Sequence, residues 1–219
     1  MKTKPKAIIR PYESFDREAV FKVAADTAFF GEAVEEFIED RALFCDSFCA
    51  YYTDLAYDMC WVAEADQMVV GYLLGCTQTR LMWAGFREKI LPRLIRNFVM
   101  KKYHLGHLTW TYLKSIARAN FFHETTAVDD KLYPAHLHVN LDRAYRGMGI
   151  GRELIEAFLS QLRERGVAGV HLKTTSENVA ACALYEKMGF QLLDSRRTKM
   201  WRPWLGRDIE NRCYGMLLG

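Results

Sequence analysis

The sequence predicts an α/β fold, and three observations carry that prediction. Downstream of Tyr133-Pro134, apolar strand-like segments alternate with amphipathic helical ones. A glycine-dense turn, Arg146-Gly-Met-Gly-Ile-Gly151, joins one such strand to one such helix. Half of the 219 residues are apolar, which suffices for one sizeable core, so a single domain over 1–219 is expected.

Residues 6–12 read as a strand ending at Pro11. Ser14 then stands where it can cap a helix whose first turn carries Asp16 and Glu18, continued by Val20, Val23, Ala24 and Ala28. A second helix is expected from about Gly31 to Asp40, with Glu32, Glu35, Glu36 and Glu39 on one face; a third element falls around Leu43 to Asp54. The runs 60–65 and 68–75 form a hairpin about Asp66-Gln67. Phe86, Ile90, Leu94 and Phe98 recur at i+4, which predicts a helix in spite of Pro92. A further helix is expected over 109–120, so residues 78–133 read as an inserted helical pair. The remaining pattern is strand 135–141, helix 151–165, strand 169–175, helix 178–188 ending at Gly189, and strands near 190–194 and 211–218.

No apolar run is long enough to span a bilayer. The six cysteines form no CxxC pair and lie in apolar or helical patterns, so buried reduced thiols and a cytoplasmic location are expected, with no metal site. Net charge is only +3, but residues 79–118 hold nine Lys and Arg against Glu88 alone and carry +8. That asymmetry marks an interaction surface; it reads as a solvated face shielding an acceptor cleft or as a homodimer contact, and the sharper readings are an acidic acceptor or an anionic surface. Nucleic acid is not expected, because Trp83, Phe86 and Phe98 fall with the apolar stripe and not between the charges.

Glycines at a strand-to-helix junction let backbone approach a ligand and aim unpaired helix N-terminal N–H groups at it, an arrangement suited to a pyrophosphate. The P-loop requires Lys-Ser/Thr after its glycines, where this chain has Arg152-Glu153. The dinucleotide fingerprint G-x-G-x-x-G also fails, since the spacing here is G-x-G-x-G.

Arg146, Gly149 and Gly151 match the Arg/Gln-x-x-Gly-x-Gly/Ala signature of the Gcn5-related N-acetyltransferase (GNAT) superfamily. Asn178-Val-Ala-Ala-Cys-Ala-Leu-Tyr-Glu-Lys-Met-Gly-Phe190 resembles that family's second signature, Asn-x-x-Ala-x-x-Leu-Tyr-Glu-Lys-x-Gly-Phe. The resemblance is tight over 135–190. More loosely, Tyr133-Pro-Ala-His-Leu-His138 and the layout look like bacterial relatives of the acetyltransferase-like domain of O-GlcNAc hydrolases. It implies a mixed, mostly antiparallel sheet flanked by helices, and acetyl-CoA-dependent transfer of an acetyl group directly to an amine.

The resemblance also implies roles. The backbone of Gly147, Met148, Gly149, Ile150, Gly151 and Arg152 would cradle the CoA pyrophosphate, aided by the side chains of Arg146 and Arg152. For Arg152 a solvated helix face is the other reading. Val139, Asn140 and Leu141 would pair with the pantetheine amides through their backbone. Asn178, with Ala181 beside it, would face the pantetheine arm, or Asn178 would simply cap its helix. Tyr185 would protonate the departing thiolate, against the alternative of an aromatic packing helix on sheet. An amine must also lose its ammonium proton; His138 is the first candidate base, with His136, Glu64 and Asp142 behind it, and a packed structural histidine is the competing reading. Cys182 reads as packing. A silent acyl-CoA-binding regulatory domain is the alternative function.

Overall fold

A computed structural model describes residues 7–219. Seven strands form one sheet in the order β1-β2-β3-β4-β5-β7-β6. The strands are β1 (Ile8–Pro11), β2 (Trp61–Ala65), β3 (Met68–Cys76), β4 (Ala135–Leu141), β5 (Gly169–Thr175), β6 (Gln191–Thr198) and β7 (Ile209–Leu217). All neighbours are antiparallel except β4 and β5. The β2–β3 hairpin turns on Asp66 and Gln67, both left-handed at φ 51° and 61°, the twist that two-residue hairpins favour.

Period-two alternation distributes the sheet's side chains between two layers. Leu73, Leu137, Val170, Leu172 and Tyr214 meet Leu154, Ile155 and Phe158 of α7 (Ile150–Glu164), and Cys182 and Tyr185 of α8 (Val179–Lys187). On the opposite face Val62, Tyr72, Leu74 and Cys76 pack against α1 (Arg17–Asp26), α2 (Arg41–Phe48) and α3 (Ala50–Leu55) through Val20, Val23, Cys49 and Tyr52. All six cysteines are free and buried.

The N-terminal helices depart from expectation. Ser14 opens a short 3-10 turn and does not cap α1; Asp16 takes that corner, buried, with both carboxylate oxygens bonded to Arg10 at 2.7 and 2.8 Å. The expected 31–40 helix is only a 3-10 turn at Val34–Glu36. Its carboxylates serve tertiary contacts instead: Glu32 pairs with Arg143, Glu35 with Arg41, and Glu39 with the start of α6 (His107–Phe121). Helix formation begins after Asp40, whose carboxylate accepts the Leu43 N–H at 2.8 Å.

The insertion is helical as expected: α4 (Thr79–Gly85), a π-type turn at Phe86–Ile90 and α5 (Leu91–Val99) run on from one another, followed by α6. Pro92 lacks an N–H, and the wider π turn, closed by Leu91 N–H to Phe86 C=O, absorbs the break just before it. A four-residue helix, α9 (Arg202–Leu205), crosses the β6–β7 hairpin and was not foreseen.

Candidate active site

The sheet is interrupted at its only parallel pair. β4 meets β5 at Ala135–Val170 and His136–His171 and nowhere beyond. β4 continues to Leu141 on β3, and β5 continues to Thr175 on β7, so a gap opens between their C-terminal halves. The Asp142 N–H donates to the Val70 C=O at 2.8 Å, one step past the Leu141–Gly71 pair. Antiparallel ladders alternate, so His138 and Asn140 turn their backbone groups to β3, while Val139 and Leu141 turn theirs to the gap. Asn140 therefore leaves the expected backbone trio; its side chain donates to the Tyr72 hydroxyl at 3.0 Å.

At the mouth of the gap lies the glycine turn. Gly147 and Gly149 sit at φ 75° and 85°, where only glycine is unstrained, and a Cβ on either would meet nothing within 4 Å. Among the described residues, no acceptor takes the N–H groups of Gly147, Met148, Gly149, Ile150 or Gly151. Gly149 occupies the N-cap of α7, so these donors and the positive end of the helix dipole lie together at the start of that helix, where residues 147–149 are exposed. A Cβ on Gly151 would stand 3.4 Å from Leu141 and 3.6 Å from Leu184, so β4, α7 and α8 converge there. Open left-handed glycines, free amides and an unpaired strand edge together fit an extended ligand with a pyrophosphate at one end and amides along its arm.

The two arginines are occupied within the protein. Arg146 donates to Leu141 C=O at 3.2 Å and Gly31 C=O at 3.1 Å, tying the turn to the Phe29-Phe30-Gly31 loop. Arg152 is exposed and pairs with Glu156 at 2.7 Å, one turn along α7, as the solvated-face reading has it. Asn178 stands at the N-cap of α8 but does not cap it, donating instead to the Thr174 hydroxyl at 3.0 Å. Ala181 is half-buried against the α7-side core.

Tyr185 is buried on that same side, its ring 5.9 Å from Tyr214 and 6.0 Å from Phe190. Burial, with the neighbouring Cys182 and Tyr214, pushes its phenol well above the ordinary range, so the group holds its proton. The hydroxyl has no hydrogen-bond partner among the described residues, so that proton is not committed to another acceptor.

His136 and His138 share the opposite face, because β4 runs without a bulge. His136 is locked: its Nδ1 lies 2.8 Å from the Thr79 hydroxyl and its Nε2 2.6 Å from the Tyr52 hydroxyl. The Thr79 hydroxyl also lies 2.9 Å from Pro134 C=O and the Cys76 thiol 3.3 Å from Nδ1, so both ring nitrogens are engaged within the protein whichever of them carries the proton. With its lone pair taken, His136 is structural. His138 makes no hydrogen bond among the described residues and lies edge-on to Phe48 at 4.7 Å and Tyr52 at 5.7 Å. Burial, with His171 nearby, lowers its pKa to about 4, well under the 6.5 assumed from sequence. Of the other candidate bases, Glu64 is paired with Arg10 at 2.8 Å, and the Asp142 carboxylate accepts the Ala144 N–H at 2.8 Å.

Two features had no usable signal in the sequence. The Thr175 hydroxyl, buried at the end of β5, has no hydrogen-bond partner among the described residues. Phe29, Phe30, Phe37, Tyr112 and Trp204 surround Trp201 at ring-centroid distances of 5.0 to 5.9 Å. Those rings come from segments up to 175 residues apart, from Phe29 to Trp204, and only folding assembles them.

The model of the acetyltransferase (GNAT) family matches residues 24–190, and the chain belongs to that family, whose members are acyltransferases that use acetyl-CoA. A 60-residue segment is 40% identical to the bS18-alanine N-acetyltransferase of Escherichia coli K12; it is 27% of this chain and 40% of that enzyme. The chain thus spans well under half of the curated relative it matches. The solved structure of SsHAT superposes with a TM-score of 0.73 at 30% identity, covering 98% of this chain and 100% of that one. The yncA protein of Salmonella typhimurium, solved with its cofactor acetyl-CoA, shares the fold at TM-score 0.59 and 14% identity, over 97% of this chain and 94% of its own. Among the described residues no group of three or more His, Cys, Asp or Glu is placed to hold a metal ion.

Proposed function

We propose that this chain is an acetyl-CoA-dependent N-acetyltransferase that moves the acetyl group directly onto an amine acceptor, within one domain carrying the 78–133 insertion. The observation that carries the proposal is the β4–β5 gap opening onto the exposed glycine turn. Bound acetyl-CoA supplies the activated acyl group; the chain's own groups do the rest. The amides of residues 147–151 hold phosphate, and the Val139 backbone with the Leu141 N–H aligns the arm, the Leu141 C=O being taken by Arg146, with the Val139 N–H as the donor available to an acyl oxygen. Tyr185, on the α7–α8 face, delivers its proton to the leaving sulfur. His138, on the opposite face, is neutral above about pH 4 and is a weak proton acceptor, suited to passing the amine's proton on to water.

The acceptor is an amine of unassigned identity; the alanine terminus named for the E. coli relative stays with that protein. Likeness to the acetyltransferase-like domain of O-GlcNAc hydrolases, supported by Tyr133-Pro-Ala-His-Leu-His138, and a cytoplasmic location belong to the same proposal. Calorimetric titration with acetyl-CoA, then thiol release against a panel of amines, tests it. Binding with amine-dependent release is expected. Absence of binding overturns the cofactor site, and binding without release across protein, peptide and small amines overturns the transferase in favour of a silent binding domain.

A further inference from the structure

The outer face of the α4–α5 run serves neither the fold nor acetyl transfer. Its inner face is fully used: Met82 and Ile90 are buried, Gly85 admits the Tyr51 ring, and Arg93 donates to Asp54 at 2.8 Å. Outward, Leu91, Ile95, Phe98 and Val99 stand at i, i+4, i+7 and i+8, one stripe on the helix, and the last three are 54, 53 and 71% exposed. Trp83 and Met100, at either end of the run, are exposed as well. The apolar residues of this run are therefore divided between two faces, with Trp83 and Phe98 on the solvent side. α5 has no buried residue at all. Arg87, Arg96, Lys101 and Lys102 are exposed along the same run and make no ion pair among the described residues.

A contiguous apolar stripe on the surface marks an interaction site, and the charges around it select the partner. A second copy docked isologously would bring two basic faces together against their own repulsion. A nucleic acid would place phosphates and water against Leu91, Ile95 and Val99, which offer no stacking face. An anionic bilayer satisfies both halves at once, taking the apolar stripe into the acyl boundary and the cations onto headgroup phosphates. No helix among the described residues is long and apolar enough to cross a membrane, and this one need only lie on it.

We propose that the 79–102 segment docks the protein, parallel to the surface, on an anionic lipid bilayer. This is independent of the acetyl-transfer chemistry. The test is flotation of the full chain with phosphatidylcholine vesicles, with and without phosphatidylglycerol. Flotation with the anionic vesicles alone, weakened by salt, is expected. Arg96→Glu with Lys101→Glu should lower partition by at least about 25-fold, since each basic residue near such a surface is worth roughly fivefold. Ile95→Ser with Phe98→Ser should lower it about tenfold or more. All four positions are exposed, and an unchanged melting curve and acetyl-CoA affinity verify the fold. No flotation, equal flotation with neutral vesicles, or indifference to the Ile95/Phe98 variant overturns the proposal. So does a dimer in buffer that Phe98→Ser dissolves, or capture of single-stranded nucleic acid without flotation.

Discussion

Tyr185 and His138 stand on opposite faces of the sheet, and burial moves their proton affinities in opposite directions. A buried phenol resists losing its proton and a buried imidazole resists gaining one. Tyr185→Phe should lower kcat by about 10²–10⁴-fold, the range of general acid catalysis, while acetyl-CoA affinity by calorimetry stays within error. An unchanged kcat would remove Tyr185 from the mechanism. His138, at about pKa 4 in the fold against roughly 6.5 unfolded, binds fewer protons folded than unfolded between those values. Stability linked to it is complete above the unfolded value and falls as pH drops toward 4. His136 and His171 are lowered as well, chiefly by burial, so acid unfolding should begin in this window. Melting temperature against pH checks it, and a flat profile from pH 7 to about 4 would contradict the shifts.

At the scale of elements, the α7 turn and the start of α6 show two different uses of a helix N-terminus. In α7 the amides are left open, and Gly149→Glu should abolish acetyl-CoA binding by putting a carboxylate where phosphate belongs. Gly149→Ala meets no neighbouring atom, so it should cost only the left-handed strain of roughly 1–2 kcal/mol, measured by denaturant melts. In α6 the end is filled: Glu39 accepts the Leu108 and Thr109 N–H groups at 2.6 and 2.9 Å. Burial would raise its carboxyl, but the Thr109 hydroxyl and these amides hold it at about 2. The depressed value means the contact is intact above the unfolded pKa of about 4.3 and lost only as pH falls through about 2. Glu39→Ala should destabilise the chain by about 0.5–2 kcal/mol, the usual worth of a cap, and loosen the insertion, which increased proteolysis between 79 and 121 would report.

Across the whole molecule, the unpaired edge of β4 makes a prediction no single side chain makes. Hydrogen exchange at Val139 should be fast in the free protein for a mid-sheet strand and slow when acetyl-CoA is added, while Asn140, bonded into the β3 ladder, stays slow in both. Equal rates at the two would place the ligand elsewhere. Ligand held this way also stabilises the fold by mass action, about 2.7 kcal/mol at a hundredfold excess over Kd, which thermal shift reads directly.

Much of this was legible in the chain because it is local. The glycine turn, the hairpin about Asp66-Gln67, the strand–helix alternation after 134 and the signature around Tyr185 depend on spacing and conformational freedom that residues carry with them. The four glutamates of the 31–40 segment have helical spacing, yet three of them, Glu32, Glu35 and Glu39, bond to Arg143, Arg41 and the start of α6, and no helix forms there. Asn178 has the identity of a cap, but the Thr174 hydroxyl takes its side chain. The sequence by itself determined the family, and it carried in plain motifs the glycine turn and the tyrosine that we propose hold the cofactor and protonate the leaving sulfur. Only the tertiary structure decided which backbone edge is free, which histidine is locked and which face of α5 meets solvent. Each of these depends on what lies opposite a residue, a property of neighbours brought together by folding and not of the residue itself.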